Sequence, residues 1–521
     1  MSGDCIDQRR LPGTTKLFAD YLYNFPALSK FYPAPFSPDI ASLARHAPQV
    51  EYPDQRRAGM AADLTSQNAA AGFATRELLR QFAEPGCVAI LAGQQVGLFG
   101  GPLLSLYKAM TAVLIAERLR AQGTMAVPIF WMATQDHDWP EVNHAWALDG
   151  TSQLHKIALA SDPAHPGASV GPQPLLRDIE AALDQFAACC GADIAALRAA
   201  YHPGATMAEA FRGLLEHWFA PWGLIVFDPM ASTAAPPLWA DFYATAIARQ
   251  PEFSRLLAER SEALTAAGFA AQVEHNPHST LLFVERDGAR QLLRAPVSDE
   301  VRAFVRDNPA HVSPAALLRP LLQDVAFPTL AQITGPAETA YLAQSAVLYQ
   351  ALAVRQPTPW PRASATLLDP RAQRLLAKYE LTVADAWSDD LEARLARHSM
   401  PAGIDRQVSL MRAQFDREFA VLEEALRTLD PTLVDAAQGA VQKIRHQLEQ
   451  LEARVARSHA RRTGEIAAHA QHLSASLFPN RHLQERCLAA ASFTTRYRDL
   501  PERLHASLDP TQPAHQVIAL V

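Results

Sequence analysis

Short apolar runs alternate with helical patterns along the middle of the chain. Four of these runs predict buried strands, at residues 87–92, 127–133, 223–227 and 329–334. Between the runs, apolar residues recur every three or four positions, as in 102–120, which predicts helices. Strands that alternate with helices are typical of a parallel sheet covered on both faces. The pattern therefore predicts an α/β fold.

The segments before and within this core depart from the alternation. Residues 1–85 mix aromatic residues with prolines and then turn helical, which predicts an N-terminal wrap that packs on the core. Within the core, taken as 86–370, we interpret the stretches near 150–215 and 251–300 as insertions. The second insertion contains the turn dipeptide Asp287-Gly288 between two apolar runs, which predicts a hairpin.

Residues 371–476 are rich in charged residues and alanine, and their apolar residues recur at alternating spacings of three and four. Pro431 divides them into two helices, and the second is predicted to run from about 431 to 475, with a slip in its apolar stripe after Val455. This pattern predicts an antiparallel helical coiled coil that forms a homodimer; a hairpin that packs only on itself is the alternative. Residues 477–521 regain aromatic residues and are expected to return to the core.

Composition and charge narrow the class of protein. The chain has 521 residues, and single cores stop growing near ~250–300 residues, so two or three structural units are expected. A formal net charge of −7 argues against a nucleic-acid partner. The five cysteines form no CxxC pair, no apolar run is long enough for a transmembrane helix, and the start of the chain lacks a signal-peptide pattern. These features predict a cytoplasmic protein without a membrane partner.

The first stretch with candidate chemistry, 92–108, is a glycine-rich connection between a predicted strand and a predicted helix. Glycine lets a ligand approach the backbone, and the following helix N-terminus offers N–H groups to an anion. The stretch matches neither the dinucleotide fingerprint nor the ATPase phosphate loop. A tight turn without a ligand is the alternative. The candidate substrate- or nucleotide-binding residues here are Gly93, Gln94, Gln95, Gly97, Gly100, Gly101 and Lys108.

The second stretch, 134–144, concentrates titratable residues just after a predicted strand, which is typical of acid–base chemistry in a cleft. Asp and His side chains also suit a divalent metal, but the spacing matches no zinc motif, and no tightly bound metal is predicted. A structural alternative makes Asp138 the N-cap of a short helix with Glu141 three residues later. The catalytic candidates are Asp136, His137, Asp138 and His144, with Asn143 as a binding residue.

Two further groups complete the candidates. Gly335, Glu338 and Tyr341 begin the helix after the fourth strand and would form a second wall of the crevice beyond the strand ends. Glu338 could instead only complement its helix dipole. Residues on either side of the helical region form a possible second ligand site for an anion or nucleotide, with an interdomain salt-bridge network as the alternative. They are Arg362, Ser364, Gln484, Glu485, Arg486 and Tyr497.

Three blocks, LAGQQVGLFGGPLLSLYKA, PIFWMATQDHDWPEVNH and RPLLQD…PTLAQITGPAETAYLAQ, resemble the BshC family of bacillithiol biosynthesis. The resemblance extends to LPGTTKLFADYLYNF near the start, to the coiled-coil segment and to LQER, so it covers nearly the whole chain. It implies a Rossmann-like core similar to class I aminoacyl-tRNA synthetases, with inserted connecting elements and a C-terminal coiled coil that mediates dimerisation. The chain departs from those synthetases because it has Gly93-Gln94-Gln95 in place of their His-rich motif and no KMSKS-like loop.

The resemblance also implies a function. It implies a ligase that adds L-cysteine to glucosaminyl-malate in the last step of bacillithiol biosynthesis. The cysteine carboxylate would be activated by ATP with Mg²⁺. The loop 93–101 would hold a phosphate or carboxylate, and Asp136, His137 and Asp138 would orient an amine and manage its proton. A noncatalytic coiled-coil scaffold and a metal-dependent amidosugar hydrolase using Asp136, His137 and His144 are the competing hypotheses.

Overall fold

The computed structural model describes residues 5–399 and 402–520. They divide into two compact units, Met1–Thr366 with His482–Ile518, and Leu367–Arg481 with Ala519–Val521. The first unit begins with β1 (Cys5–Ile6), α1 (Lys16–Tyr23), α2 (Ile40–Ala44), α3 (Asp54–Gln67) and α4 (Phe73–Ala83). Tyr21 and Tyr32 of this segment are buried, and their hydroxyls donate to the carbonyls of Pro359 and Thr339 at 2.7 and 2.6 Å. The N-terminal aromatic residues are therefore fastened to the core.

The middle of the first unit carries most of its strands. In chain order the elements are β2 (Val88–Gln94), α5 (Leu103–Ala121), β3 (Ala126–Met132), α6 (Trp139–Val142), β4 (His144–Leu148), β5 (Leu154–Ala158), α7 (Asp178–Cys190), α8 (Ala195–Ala200), α9 (Met207–Phe219) and β6 (Ile225–Phe227). They continue with α10 (Ala235–Ala248), α11 (Gln250–Ala266), β7 (Ser279–Arg286), β8 (Ala289–Arg294), α12 (Asp299–Asp307), β9 (Val312–Pro314), α13 (Arg319–Ala326), β10 (Thr329–Thr334), α14 (Pro336–Ala351), β11 (Thr358–Pro361) and β12 (Ala365–Leu368).

Five of these strands form one parallel sheet in the order β11-β10-β2-β3-β6. The α/β prediction is confirmed, as are all four predicted strands. The edge strand β11 was not predicted, because its sequence, TPWP, contains two prolines. Proline cannot donate to a sheet ladder but is tolerated at an edge. The core strands β2, β3 and β10 are almost wholly buried, as expected of a parallel sheet covered on both faces.

Two smaller antiparallel sheets include strands of the predicted insertions. In the first sheet, β5 of the first insertion pairs with β4, which precedes that insertion. In the second sheet, β7 of the second insertion lies between β8 and β9, and β9 follows that insertion. The predicted hairpin is confirmed, and its turn residues Asp287 and Gly288 have φ angles of 51° and 74°. Two consecutive residues with positive φ make the turn type that fits the twist of a hairpin.

The second unit is helical. It contains α15 (Pro370–Lys378), α16 (Leu391–His398), α17 (Ala402–Leu429), α18 (Thr432–Thr463) and α19 (Glu465–Leu477). Arg412 pairs with Glu452 at 2.6 Å and Asp416 with Arg445 at 2.8 Å, so α17 and α18 run antiparallel, as predicted. The prediction of one continuous helix over 431–475 is wrong. Gly464 adopts a left-handed conformation, with φ of 64°, and separates α18 from α19.

The chain then returns to the first unit through α20 (Gln484–Cys487), α21 (Ala490–Thr494), α22 (Leu500–Ser507) and β13 (His515–Ala519). The last of these elements, β13, pairs antiparallel with β1 of the first unit. On the same strand, the N–H of Gln516 donates to the carbonyl of Ser364 at 2.8 Å.

Candidate functional site

A cavity of about 380 Å³ lies at the carboxyl ends of β2, β3 and β10. Parallel α/β sheets bind their ligands at this position. The polar residues that line the cavity are Gln94, Gln95, Lys108, Asp136, Glu141, Arg319, Gln323, Gln332, Thr334, Glu338, Tyr341, Arg362 and Arg486. Of the glycines, Gly93 and Gly335 line it as well. The first and third predicted groups therefore meet in one place.

Lys108 joins the end of β2 to the start of α14. Its ammonium lies 2.6 Å from Glu338 Oε2, 2.9 Å from the carbonyl oxygen of Gly93 and 2.8 Å from Gln94 Oε1. Burial lowers the pKa of Lys108, and Glu338 opposes that effect. Because an ammonium has three N–H donors, all are engaged within the protein. Lys108 thus braces the cavity wall, and Glu338 also accepts from the N–H of Gly335 at 2.7 Å.

Two carboxylates are bridged by one amide in the wall formed after β3. Gln95 Nε2 donates to Asp136 Oδ2 at 2.8 Å and to Glu141 Oε2 at 2.7 Å. Asp136 Oδ1 also accepts from the backbone N–H of His137 at 2.7 Å. Burial acts to raise the pKa of Asp136, but these hydrogen bonds and the charge of Arg290 outweigh it and lower the pKa. Asp136 is therefore a stable carboxylate.

The other catalytic candidates lie outside the residues that line the cavity. His137 is next to Asp136, and its Nδ1 is 3.1 Å from Nη1 of Arg290. Asp138 Oδ1 accepts from the N–H of Glu141 at 3.2 Å, so the predicted N-cap is confirmed. The His144 Nδ1 and the Asn143 Oδ1 are 3.2 Å apart, and burial lowers the pKa of His144.

The remaining glycines of the first group have a packing role. A Cβ on Gly100 would lie 2.4 Å from Trp218, and one on Gly97 would lie 2.8 Å from the Cα of Gly101. Tyr201 Oη accepts from the N–H of Gly100 and donates to the carbonyl of Gly97, both at 3.1 Å. The loop is therefore filled by a tyrosine hydroxyl where we expected a ligand.

The N-terminus of α5 is covered by the returning chain. The N–H of Leu103 donates to Leu488 O at 3.0 Å, and the N–H of Ala490 donates to Gly101 O at 2.9 Å. The helix start that lines the cavity is instead that of α14, with Gly335, Pro336 and Ala337. The first N–H groups of a helix have no backbone partner within it, but Pro336 has no N–H and that of Gly335 donates to Glu338. Of these three residues, Ala337 can therefore offer an N–H donor to an anion.

Sequence reasoning missed Arg319 as a site residue and placed Arg486 in a different group. Arg319 Nη2 donates to Tyr341 Oη at 2.9 Å. Within the described residues, neither guanidinium has a carboxylate within ion-pair distance, although both line the cavity. The local sequence did not indicate that these two arginines line the cavity, because Arg319 begins a helix and Arg486 lies far along the chain.

The proposed second ligand site is a closed polar cluster. Arg362 and Glu485 form a buried ion pair at 2.5 Å, and Ser364 Oγ donates to Glu485 at 3.0 Å. His515 Nδ1 lies 2.6 Å from Ser364 Oγ, and burial lowers the pKa of His515 to about 4. This geometry favours the salt-bridge alternative for these residues, within the first unit. Gln484 is buried on the same short helix, α20, and Tyr497 is not among the cavity residues.

Across 5–399 and 402–520, no three His, Cys, Asp or Glu side chains are grouped so that they could hold a metal ion. In that same part of the chain, no helix combines the length and apolar character needed to cross a membrane.

Two family models match the chain: the N-terminal Rossmann-like domain of bacillithiol biosynthesis BshC over residues 1–363, and the C-terminal coiled-coil domain of BshC over residues 365–520. The relatives include proteins named "Putative cysteine ligase BshC". The one from Koribacter versatilis is 36% identical over 99% of this chain and 100% of its own length. That from Solibacter usitatus is 35% identical over 99% of both chains. That from Salinibacter ruber is 30% identical over 97% of this chain and 96% of its own length.

Proposed function

The chain belongs to the BshC family, and from this premise we propose that it is a ligase that joins L-cysteine to glucosaminyl-malate in the last step of bacillithiol biosynthesis. The name that its relatives carry supports a cysteine ligase. The small-molecule cavity at the strand ends supports an enzyme more than a scaffold, because charged side chains line it.

One observation carries the proposal: the cavity combines two bridged carboxylates with two guanidiniums that no carboxylate of the described residues pairs with. Both proposed substrates carry an amine and at least one carboxylate. Guanidinium and carboxylate groups form paired, charge-assisted hydrogen bonds. We assign Arg319 and Arg486 to the malate carboxylates, and Asp136 and Glu141 to the amine.

The attacking amine must be held and must lose a proton. A carboxylate whose pKa is lowered holds an ammonium well but is a weak base, so we assign orientation to Asp136. Glu141 shares Gln95 with Asp136 and is the group assigned to take the proton. Holding both reactants in line supplies part of the ~7–11 kcal/mol available to proximity.

A carboxylate does not react with an amine in water until it is activated, and we propose that ATP with Mg²⁺ supplies this activation. The first turn of α14 fits an anionic group of the nucleotide, since it lines the same cavity and the N–H of Ala337 has no partner within the helix. Lys108 stiffens this wall through Glu338 rather than by contacting the nucleotide.

The first test is a mass-spectrometric assay with cysteine, glucosaminyl-malate and Mg-ATP, each omitted in turn. We expect the cysteinyl product only with all three, together with AMP or ADP. No product from folded protein with all three present would contradict the proposal.

A second test concerns the carboxylate anchors. Arg319→Gln and Arg486→Gln should each raise the KM for glucosaminyl-malate about tenfold or more, because each removes a charge-assisted contact of roughly 1.5–3 kcal/mol. The matched control is Arg45→Gln, since Arg45 is exposed. Unchanged KM values in both cavity variants would refute the assignment.

We also propose that the protein works in the cytoplasm as a homodimer. None of the five cysteines, all of which are among the described residues, forms a disulfide, which suits a reducing compartment. Burial raises the pKa of the Cys87 thiol to about 12, so this buried cysteine stays protonated and unreactive at neutral pH. The apolar side chains that α17 and α18 leave exposed support dimerisation through the coiled coil.

A further inference from the structure

Arg290, on the hairpin strand β8, is fixed by contacts with three other parts of the first unit. Its Nε donates to Ser313 Oγ at 2.8 Å, and its Nη2 donates to the carbonyl of Pro314 at 2.9 Å. Its guanidinium lies 3.9 Å from the ring centre of Phe283. Nη1, the remaining terminal nitrogen, is 3.1 Å from His137 Nδ1. The side chain is only 10% exposed, so the guanidinium has one well-defined position.

This contact determines which nitrogen of His137 carries the proton. A guanidinium has N–H donors and no acceptor. Burial lowers the pKa of Arg290 to about 10, which still leaves it protonated at neutral pH. Nδ1 of His137 must therefore accept, and the proton of the neutral ring then resides on Nε2.

The neighbouring carboxylate does not compete for Nδ1. Asp136 Oδ1 lies 3.6 Å from Nδ1, beyond hydrogen-bond distance, and already accepts from the backbone N–H of His137. No described residue forms a hydrogen bond with Nε2 of His137. The His137 side chain is 39% exposed and, although it does not line the cavity itself, it follows directly on Asp136, which does. The free end of the ring is thus an N–H donor available to a ligand.

We propose that His137 acts as a neutral hydrogen-bond donor through Nε2–H and that Arg290 is the positioning residue that holds this tautomer. The inference rests on the proposed ligase function. In that reaction the amine nitrogen bonds to the carbonyl carbon of the activated cysteine. The bond from that carbon to the leaving phosphate group breaks, and the amine proton passes to Glu141. The Nε2–H of His137 stabilises the negative charge that develops on the carbonyl oxygen.

The kinetic test uses substitutions that separate a donor from a base. Glutamine places an amide N–H near the position of Nε2, so His137→Gln should keep kcat within about tenfold of the original protein. In His137→Ala and His137→Asn, kcat should fall about 100-fold, as expected when one such donor is removed. A glutamine variant as inactive as the alanine variant would overturn the donor role.

The spectroscopic test needs no substrate. In protein labelled with ¹⁵N-histidine, with the His137 signals assigned by their loss in His137→Gln, we expect a protonated Nε2 and an unprotonated Nδ1. Arg290→Met should change this pattern, whereas Arg294→Gln, at an exposed arginine on the same strand, should not. A protonated Nδ1 in the original protein would overturn the inference. The expected tautomer without product formation would count against the ligase function alone.

Discussion

Burial shifts the pKa values of single residues in this protein, and His515 has a clear consequence for stability. Its ring nitrogens lie 2.6 Å from Ser364 Oγ and 2.8 Å from Thr366 Oγ1. In an unfolded chain a histidine has a pKa of about 6.5, whereas burial lowers the pKa of His515 to about 4. Between these values only the unfolded state binds the proton, so the stability present above pH ~6.5 is lost as pH falls.

We predict that this loss amounts to on the order of 3 kcal/mol between pH 6.5 and 4. Burial raises the pKa of Asp324 to about 7, which acts in the opposite sense over the same range. The contribution of His515 must therefore be measured as the difference in stability between the original protein and a variant that lacks this histidine. In thermal unfolding at a series of pH values, the unfolding temperature of His515→Gln should depend less steeply on pH than that of the original chain. His482→Gln, at an exposed histidine, should retain the original slope. Parallel curves for all three proteins would disprove the assignment.

At the scale of elements, the connection between β2 and α5 is set by glycines that leave no room for a side chain. Gly100 and Gly123 share a φ angle of 83°. Of these two glycines, only Gly100 has a neighbour, Trp218, that an added Cβ would meet. A Cβ added at Gly123 would have no atom within 4 Å. The pair therefore separates backbone strain from steric conflict.

We predict that Gly123→Ala lowers the free energy of unfolding by about 1 kcal/mol, from backbone strain alone. Gly100→Ala should cost about 2–4 kcal/mol, because the added methyl group also displaces the indole. Urea denaturation of the two variants measures the difference. Equal losses would mean that Trp218 yields to the methyl group without cost.

Elements could be predicted from sequence where local pattern determines them. The buried strands and the Asp287-Gly288 hairpin are examples, since apolar runs and turn residues act over a few positions. The division at Gly464 was missed because a single glycine in a helical pattern is usually tolerated. The contacts of Arg290 and Arg319 could not be foreseen, because they join residues that only the folded sheet brings together.

At the scale of the whole molecule, the exposed apolar side chains of α17 and α18 call for a partner. Val421, Leu422 and Leu451 are each at least half exposed. Apolar stripes on paired long helices are typical of coiled-coil contacts between chains.

We predict that the chain forms a dimer of twice its 56.9 kDa mass in light scattering coupled to size exclusion. Leu422→Lys together with Leu451→Lys should shift the equilibrium to monomer, because charged groups would be buried at the contact. Glu424→Lys, at an exposed carboxylate of the same helix, should leave the dimer intact. A monomer at all concentrations in the original protein would contradict the prediction.

The return of residues 482–518 to the first unit gives the protein a fixed order of assembly during translation. Arg486 forms part of one wall of the cavity, and residues 488–490 cover the start of α5. The ribosome makes these residues about 400 residues after Gly93–Gln95. Until they are made, the start of α5 and the polar cavity at the strand ends remain uncovered. A chain that stops before Arg486 therefore lacks one wall of the binding cavity, although every strand of the five-stranded sheet has been made.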